Sequence, residues 1–517
     1  MTAEQPSSNH LVFSQTLIQH GKHKKAQSLL NALLKENPVN SKALELLGIS
    51  YLKCNEYHQA EESLKKVISL QGDNPKHYYN LGFAQKGLNK NEEAITSYQK
   101  AITLDPKYQY AYINLGNIFS IQNQAEQAIQ AYSTALKINP NNPLVHYNLA
   151  FQYEQIGRVK DAIDTYLKVL QLEPGTIAAI YRLAQLYIQL GDVLHATSMI
   201  ERGLNLQPGF GPLYRILTLC QTYTDPNHPH IQTIHTLLNN PKLKEDDRAQ
   251  LYYGLGKIFD NLKNYDAAFD AYQKANEIQG KLHPFDFNHF LEFTNSIMNS
   301  KPVSYALKAS PLTPIFIVGM PMAGKSLLES IMANHSKIHT CGNLSIEPYL
   351  KQPENFQKLL STVCPKDKLP ILTKFTHIYH LNLLMLLFPK AKIIYLKRSH
   401  MDTCLNQYFQ YSESKAQIRD LKILALFHRE FDLLMLYWKK QYKEHIISIQ
   451  FEDLIRKPDD TLKSVYHFLD IKPEPLKHIN LHESEIGRWK NYQAKLFDLQ
   501  IIFRLTLDQL KSLLHKT

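Results

Sequence analysis

Apolar positions along the first 280 residues recur with a helical spacing that is interrupted at fixed intervals, and the interruptions repeat every 34 residues. Gly48, Gly82, Gly116, Ala150 and Ala184 share one register position, and twelve residues after each stands Ala60, Ala94, Ala128, Ala162 or Ala196. Twelve further on come Gly72, Pro106, Pro140, Pro174 and Pro208, residue types that do not continue a helix well. Leu115, Phe119 and Tyr132 exemplify the larger residues on the intervening faces. The pattern predicts pairs of antiparallel helices, close where the residues are small, stacked into an all-α solenoid. It is strongest over 41–208 and looser over 7–40, where Ala26 and Pro38 keep register. It degenerates over 209–248, where T-D-P-N-H-P-H interrupts any helix, and resumes over 249–282 with Gly256, Ala268, Tyr272 and Ala275. These residues are expected to form the solenoid core and to take no part in catalysis.

Past a linker region around Asn299 to Thr313 the pattern changes to short apolar runs, Ile315–Val318, Lys392–Leu396 and Ile446–Phe451, separated by helical stretches. That alternation predicts a parallel α/β sheet whose ligand crevice lies at the carboxyl ends of its strands. The expected organisation is a solenoid over 1–300 and an α/β domain over 301–517.

Charge sharpens this division. Residues 301–517 carry 31 Lys and Arg against 20 Asp and Glu, whereas residues 1–300 carry 27 of each, so the whole excess of +11 belongs to the α/β domain. Such a domain attracts anionic ligands and acidic partners; no arginine-aromatic stripe or reader motif points to nucleic acid. The five cysteines lie scattered without zinc-ligand spacing, which favours a reducing compartment and no structural metal. No basic segment followed by an apolar run opens the chain, and the greasiest stretch, Leu383 to Phe388, is too short to span a bilayer. A soluble, cytoplasmic protein without a membrane span is expected, with export by a signal-less route left open.

The chemistry concentrates in two places. Gly319 to Ser326 reads G-x-x-x-x-G-K-S between an apolar strand and a helix start. A loop of this kind aims backbone N–H groups and the positive end of a helix at a phosphate, with a lysine to reach it. Arg398 follows the second strand and can form a forked contact to another phosphate.

The 34-residue unit resembles the tetratricopeptide repeat. Taken with I-F-I-V-G-M-P, S-L-L-E-S-I-M-A-N-H, L-L-F-P-K-A-K-I-I-Y-L-K-R, F-E-D-L-I-R-K-P and I-G-R-W-K-N-Y, the chain resembles bacterial sulfotransferases with N-terminal tetratricopeptide repeats and, more distantly, tyrosylprotein sulfotransferases. A composition rich in Lys, Asn, Ile and Tyr agrees with a bacterial source. The resemblance implies a P-loop-like parallel-sheet sulfotransferase domain that takes 3′-phosphoadenosine 5′-phosphosulfate (PAPS) as sulfuryl donor, without a metal. It places Met322, Ala323, Gly324, Lys325, Ser326 and Leu327 at the 5′-phosphosulfate, Arg398 and Asn406 at the 3′-phosphate, and Gly487, Arg488 and Trp489 in a C-terminal motif, Arg488 being included among the donor-binding residues. The loop departs from the family's P-R-S-G-T-T by reading Pro321-Met322-Ala323-Gly324-Lys325-Ser326, and Asn406 stands in place of a serine. Asn343 occupies the position of the family's proposed base, a glutamate. Lys374, Glu347 and His377 are weak substitutes, so the catalytic residue stays unassigned. Three readings remain open: sulfuryl transfer to a hydroxyl, by expectation a tyrosine on an acidic protein or peptide recruited by the repeats; a catalytically impaired scaffold acting through its repeats; and a P-loop NTPase using Gly319 to Ser326.

Overall fold

The computed structural model describes residues 5–299, 309–341, 344, 346–350, 352–373, 375–412, 417–475 and 486–505. The chain packs as two compact units, residues 1–206 and 207–517.

The first unit is a succession of helix pairs: α1 (Gln5–Gln19) and α2 (His23–Glu36), α3 (Ser41–Lys53) and α4 (Tyr57–Gln71), α5 (Pro75–Gly87) and α6 (Asn91–Leu104), α7 (Gln109–Ile121) and α8 (Ala125–Ile138), α9 (Pro143–Gln155) and α10 (Val159–Leu172), α11 (Ile177–Gln189) and α12 (Val193–Leu206). The small register residue exists to receive the side chain sixteen positions on. A Cβ on Gly82 would lie 2.9 Å from the Tyr98 ring, and one on Gly116 would lie 2.5 Å from the Tyr132 ring. Ala150 and Ala184 are fully buried at the same register, as are Tyr166 and Ile200 sixteen residues beyond them. Seven residues after the register position the chain turns through left-handed backbone: Asn55, Asn89, Asn123, Gly157 and Gly191 all have positive φ. Asparagine and glycine are the residue types that enter this region most cheaply, so the turn chemistry is periodic too. Asn40, Asn74 and Asn142 cap the first helix of their pairs by accepting from a backbone N–H with the side-chain oxygen.

The second unit begins with α13 (Gly211–Cys220), α14 (Pro229–Leu238), α15 (Glu245–Asn261), α16 (Tyr265–Leu282) and α17 (Phe287–Asn299). α15 and α16 keep the repeat geometry: a Cβ on Gly256 would lie 2.8 Å from the Tyr272 ring, and Lys263 takes the left-handed turn position. Then come β1 (Ile315–Val318), α18 (Lys325–Met332), β2 (Ile338–Thr340), α19 (Pro353–Val363), β3 (Leu369–Leu372), α20 (Leu381–Leu387), β4 (Lys392–Lys397), α21 (His400–Phe409), α22 (Leu421–Gln441), β5 (Ile446–Gln450), α23 (Phe451–Arg456), α24 (Pro458–Phe468) and α25 (Phe497–Arg504). The five strands form one sheet in the order β2-β3-β1-β4-β5, and every pairing is parallel. β1, whose four residues are all buried, lies between β3 and β4. The chain crosses from one side of β1 to the other after β3, so the crevice at a topological switch point opens over the carboxyl end of β1.

The helices of 211–299 pack onto this α/β layer. Tyr272 stacks on Phe409 with ring centres 4.0 Å apart, Asn276 Nδ2 donates to the Tyr408 carbonyl at 2.8 Å, and Thr294 Oγ1 donates to Glu430 Oε1 at 2.9 Å in the buried interior. Packing therefore divides the chain at 206/207, while the residue pattern changes near 300. Most of the expected linker lies outside the described residues. No helix among the described residues is long and apolar enough to cross a membrane.

Candidate functional site

The loop after β1 is shaped by three backbone requirements. Gly319 must lack a side chain, because a Cβ there would lie 2.5 Å from the Leu396 carbonyl oxygen of β4. Met322 has φ +65°, and Gly324 has φ +96° with the Phe451 ring where a Cβ would go. Gly324 is the N-cap of α18 and supplies no side-chain acceptor, so the first turn of that helix has no side-chain cap. First-turn N–H groups have no partner within their own helix, which makes this end suited to an anion. Lys325 folds back into the loop, its Nζ donating to the carbonyls of Gly319 and Met320, both at 2.9 Å. Burial pushes its pKa down to about 8.

The segment after β4 is tied directly to this loop. Arg398 is buried, stacks 4.5 Å over the Phe451 ring, and donates from Nη1 to the Met322 carbonyl at 2.9 Å. Gln407 donates to the Pro321 carbonyl at 3.0 Å and to His428 Nε2 at 2.9 Å. Two successive loop carbonyls are thus held from α21 and its leading residue. Ser399 caps α21 with its side chain, and its N–H donates to Glu452 Oε1 at 2.9 Å, which fixes the strand-to-helix corner. Asp402 accepts from the N–H groups of Gly487 and Trp489, at 2.8 and 3.0 Å, and so pins the C-terminal G-R-W turn onto α21. Arg488 donates from Nη1 to Asn406 Oδ1 at 3.1 Å and from Nη2 to Asp260 Oδ2 at 2.6 Å.

Met322 to Leu327 therefore lie together in the loop and the first turn of α18, Arg398 joins them through Met322, and Asn406 and Arg488 bond each other. Arg398 lines a cavity of about 470 Å³ at the carboxyl ends of β4 and β5, whereas Asn406 and Arg488 line a separate one of about 250 Å³ with Met322. Asn343 and Lys374 lie outside the described residues. Glu347 is exposed in a 3₁₀ turn, Glu347–Tyr349. His377 is fully buried, 5.1 Å from the Phe316 ring centre, out of reach of an acceptor in the crevice.

The larger cavity also contains residues that spacing did not single out. His400 Nε2 lies 2.7 Å from Asp432 Oδ2, and the other carboxylate oxygen accepts from Tyr395 OH at 2.9 Å. Burial works to raise the Asp432 pKa, but the bonds from His400 and Tyr395 prevail and hold it below the ordinary carboxylate value. His428, wholly buried behind this pair, is pushed down to about 3 by burial, with His400 adding to the effect. A histidine two residues past a strand-end arginine was the available sequence signal for His400; its partner, 32 residues away on α22, had none. Among the described residues no cluster of His, Cys, Asp and Glu is arranged to hold a metal ion.

Fold and site define a repeat solenoid followed by a P-loop-like α/β domain. Residues 356–475 match the sulfotransferase family, a span that includes β3, β4, Arg398 and Asn406 but neither Gly319 to Ser326 nor Gly487 to Trp489. Residues 87–120 and 116–157 match a TPR repeat, residues 177–210 and 249–281 a tetratricopeptide repeat, and residues 1–67 the anaphase-promoting complex, cyclosome, subunit 3. Segments that match tetratricopeptide repeats are thus followed, in the same chain, by one that matches the sulfotransferase family. An uncharacterised protein of Aquifex aeolicus is 23% identical over 325 residues, covering 52% of this chain and 43% of the relative, so the match takes in less than half of that protein. Among solved structures, MamA is 28% identical over 31% of this chain and 94% of its own, with a TM-score of 0.30. The C-terminal part of a TPR repeat-containing protein from Cytophaga hutchinsonii is 17% identical over 50% and 98%, with a TM-score of 0.39.

Proposed function

We propose that the second unit transfers a sulfuryl group from PAPS to a hydroxyl, with a tyrosine on an acidic protein or peptide as the acceptor class and the repeats as the recruiting surface. The observation that carries this reading is the joining of the loop after β1 to the corner after β4 through the Met322 and Pro321 carbonyls. Two phosphate-directed elements bound into one piece suit a ligand with phosphate at both ends of a nucleoside. The basic surplus of this domain and the uncapped start of α18 support the same ligand.

In such a transfer the acceptor oxygen bonds to sulfur as the bond from sulfur to the phosphate oxygen breaks, and the acceptor proton passes to a base. Within this reading His400 is the base we assign: it lines the cavity that holds Arg398, and Asp432 orients its ring. Lys325 and the loop amides offset charge on the phosphate left behind.

The hydrolytic reading is less well supported. A magnesium-nucleotide site needs a carboxylate at the end of a strand beside β1. β3 runs into Thr373, whose hydroxyl donates to Glu329 at 3.0 Å, and no Asp or Glu occurs from Leu369 to Phe388. On the other side Asp402 is occupied by Gly487 and Trp489, and Glu452 by Ser399. Calorimetry with 3′-phosphoadenosine 5′-phosphate, ATP and GTP, with and without magnesium, tests the choice. Magnesium-independent preference for the bisphosphate is expected; preference for a magnesium-triphosphate would overturn the proposal. Transfer from labelled donor to a tyrosine-rich acidic peptide then separates an enzyme from a scaffold.

A further inference from the structure

The smaller cavity, about 250 Å³, is walled partly by helices that continue the repeat pattern: Arg215 comes from α13, Lys257 from α15 and Tyr272 from α16, facing Asn406, Arg488 and Met322. Its lining contains three cations and no carboxylate. Asp260, the acidic neighbour, is engaged by Arg488 at 2.6 Å and by Tyr492 OH at 2.5 Å.

Asn406 shows what the cavity lacks. It is 5% exposed, and its Oδ1 accepts from Arg488. A guanidinium only donates, so this bond fixes which way the amide points and leaves Nδ2 as its donor. That buried Nδ2 has no hydrogen-bond partner among the described residues. A buried donor in a basic, carboxylate-free cavity calls for an anionic acceptor. Arg215 is already oriented for one, held by Gln250 Oε1 at 2.6 Å and stacked 4.5 Å over Tyr411. Lys257 is half-buried and makes no hydrogen bond or ion pair to a described residue.

We infer that Arg215 and Lys257 complete, with Asn406 and Arg488, a binding site for the oxyanion of a phosphate or sulfate monoester. Repeat-type helices then hold a small anion beside the transfer loop, a task separate from recruiting an acceptor. The monoester has two sources: the 3′-phosphate of the donor, in which case the inference rests on the sulfuryl-transfer reading, or an anionic group on the acceptor side, in which case it stands without it.

Calorimetry on the full chain with 3′-phosphoadenosine 5′-phosphate, adenosine 5′-phosphate and phenyl phosphate tests this in the wild type, Lys257→Glu and Arg215→Gln, with melting curves to verify folding. For the donor source, either variant weakens the bisphosphate by at least about tenfold and leaves adenosine 5′-phosphate unchanged. For the acceptor source, phenyl phosphate weakens and the bisphosphate does not. Folded variants that bind all three probes as the wild type does would overturn the inference while leaving the transfer reading intact. Failure of the wild type to bind either the bisphosphate or phenyl phosphate would overturn it as well. Lys257-dependent binding of phenyl phosphate without any binding of the bisphosphate would uphold the site and sink the transfer reading.

Discussion

Binding of 3′-phosphoadenosine 5′-phosphate should draw a proton onto Lys325. In the unliganded chain burial lowers the lysine's pKa to about 8, from an ordinary 10.5. A phosphate in the loop favours the ammonium and returns the pKa at least to its ordinary value. At pH 9 the free protein then carries the proton about one-tenth of the time and the complex nearly always, so roughly 0.9 protons are taken up on binding, against roughly 0.1 at pH 7. Affinity should fall about tenfold per pH unit between about 8 and 10.5, several hundredfold in all, equivalent to about 3 kcal/mol. The sign for stability is opposite: in that window the unfolded chain binds more protons than the folded one, so the unliganded protein gains stability as pH rises. Calorimetry at pH 9 in buffers of different ionisation enthalpy counts the protons directly. Lys325→Met should abolish the uptake and weaken binding more than Met322→Ala does. Binding at pH 9 with no proton taken up would refute the placement of the phosphate against this lysine.

Acid should destabilise the second unit through His428. Its folded pKa of about 3 lies below its ordinary 6.5, so the unfolded chain alone binds this proton as pH falls through that interval, costing about 2 kcal/mol by pH 5; His428→Leu should flatten denaturant midpoints measured from pH 7 to 5, and an unchanged slope would count against the burial argument. As the assigned base, His400→Gln should lower turnover by about 10²–10⁴ while sparing bisphosphate affinity, and wild-type turnover in the variant would refute the assignment. Gly324→Ala combines a left-handed backbone with a collision against Phe451 and should cost at least about 2 kcal/mol in denaturant unfolding, together with anion binding; wild-type behaviour would mean the loop geometry is not required. Gly116→Ala, whose Cβ would press on Tyr132, should cost about 1–3 kcal/mol within the first unit.

The solenoid was legible because its rule repeats: a small residue, then twelve, then twelve again leaves few alternatives. The α/β sheet was legible where its strands were long or wholly apolar, at β1, β4 and β5. β2 has three residues and β3 contains Pro370, too little periodicity in the one and a strand-disfavouring residue in the other, so neither stood out. The phosphate-directed loop and Arg398 were visible because they sit at fixed places relative to strands. The pairing of His400 with Asp432, the grip of Gln407 on Pro321 and the contributions of Arg215 and Lys257 join residues from 32 to more than 180 positions apart, and local spacing carries no trace of such meetings.

The repeat-like pair α15 and α16 lends its grease to a neighbour of another class. Tyr253, Ala268, Phe269, Tyr272 and Ala275 belong to the same apolar cluster as Phe316 and Val318 of β1 and Cys404 and Leu405 of α21. Cutting the chain where its residue pattern changes, at 301, would strip one wall from that cluster and leave Phe409 and Tyr408 facing water. A fragment from 207 keeps the wall, so proteolysis and recombinant dissection should find their stable piece there, about a hundred residues before the first strand is reached.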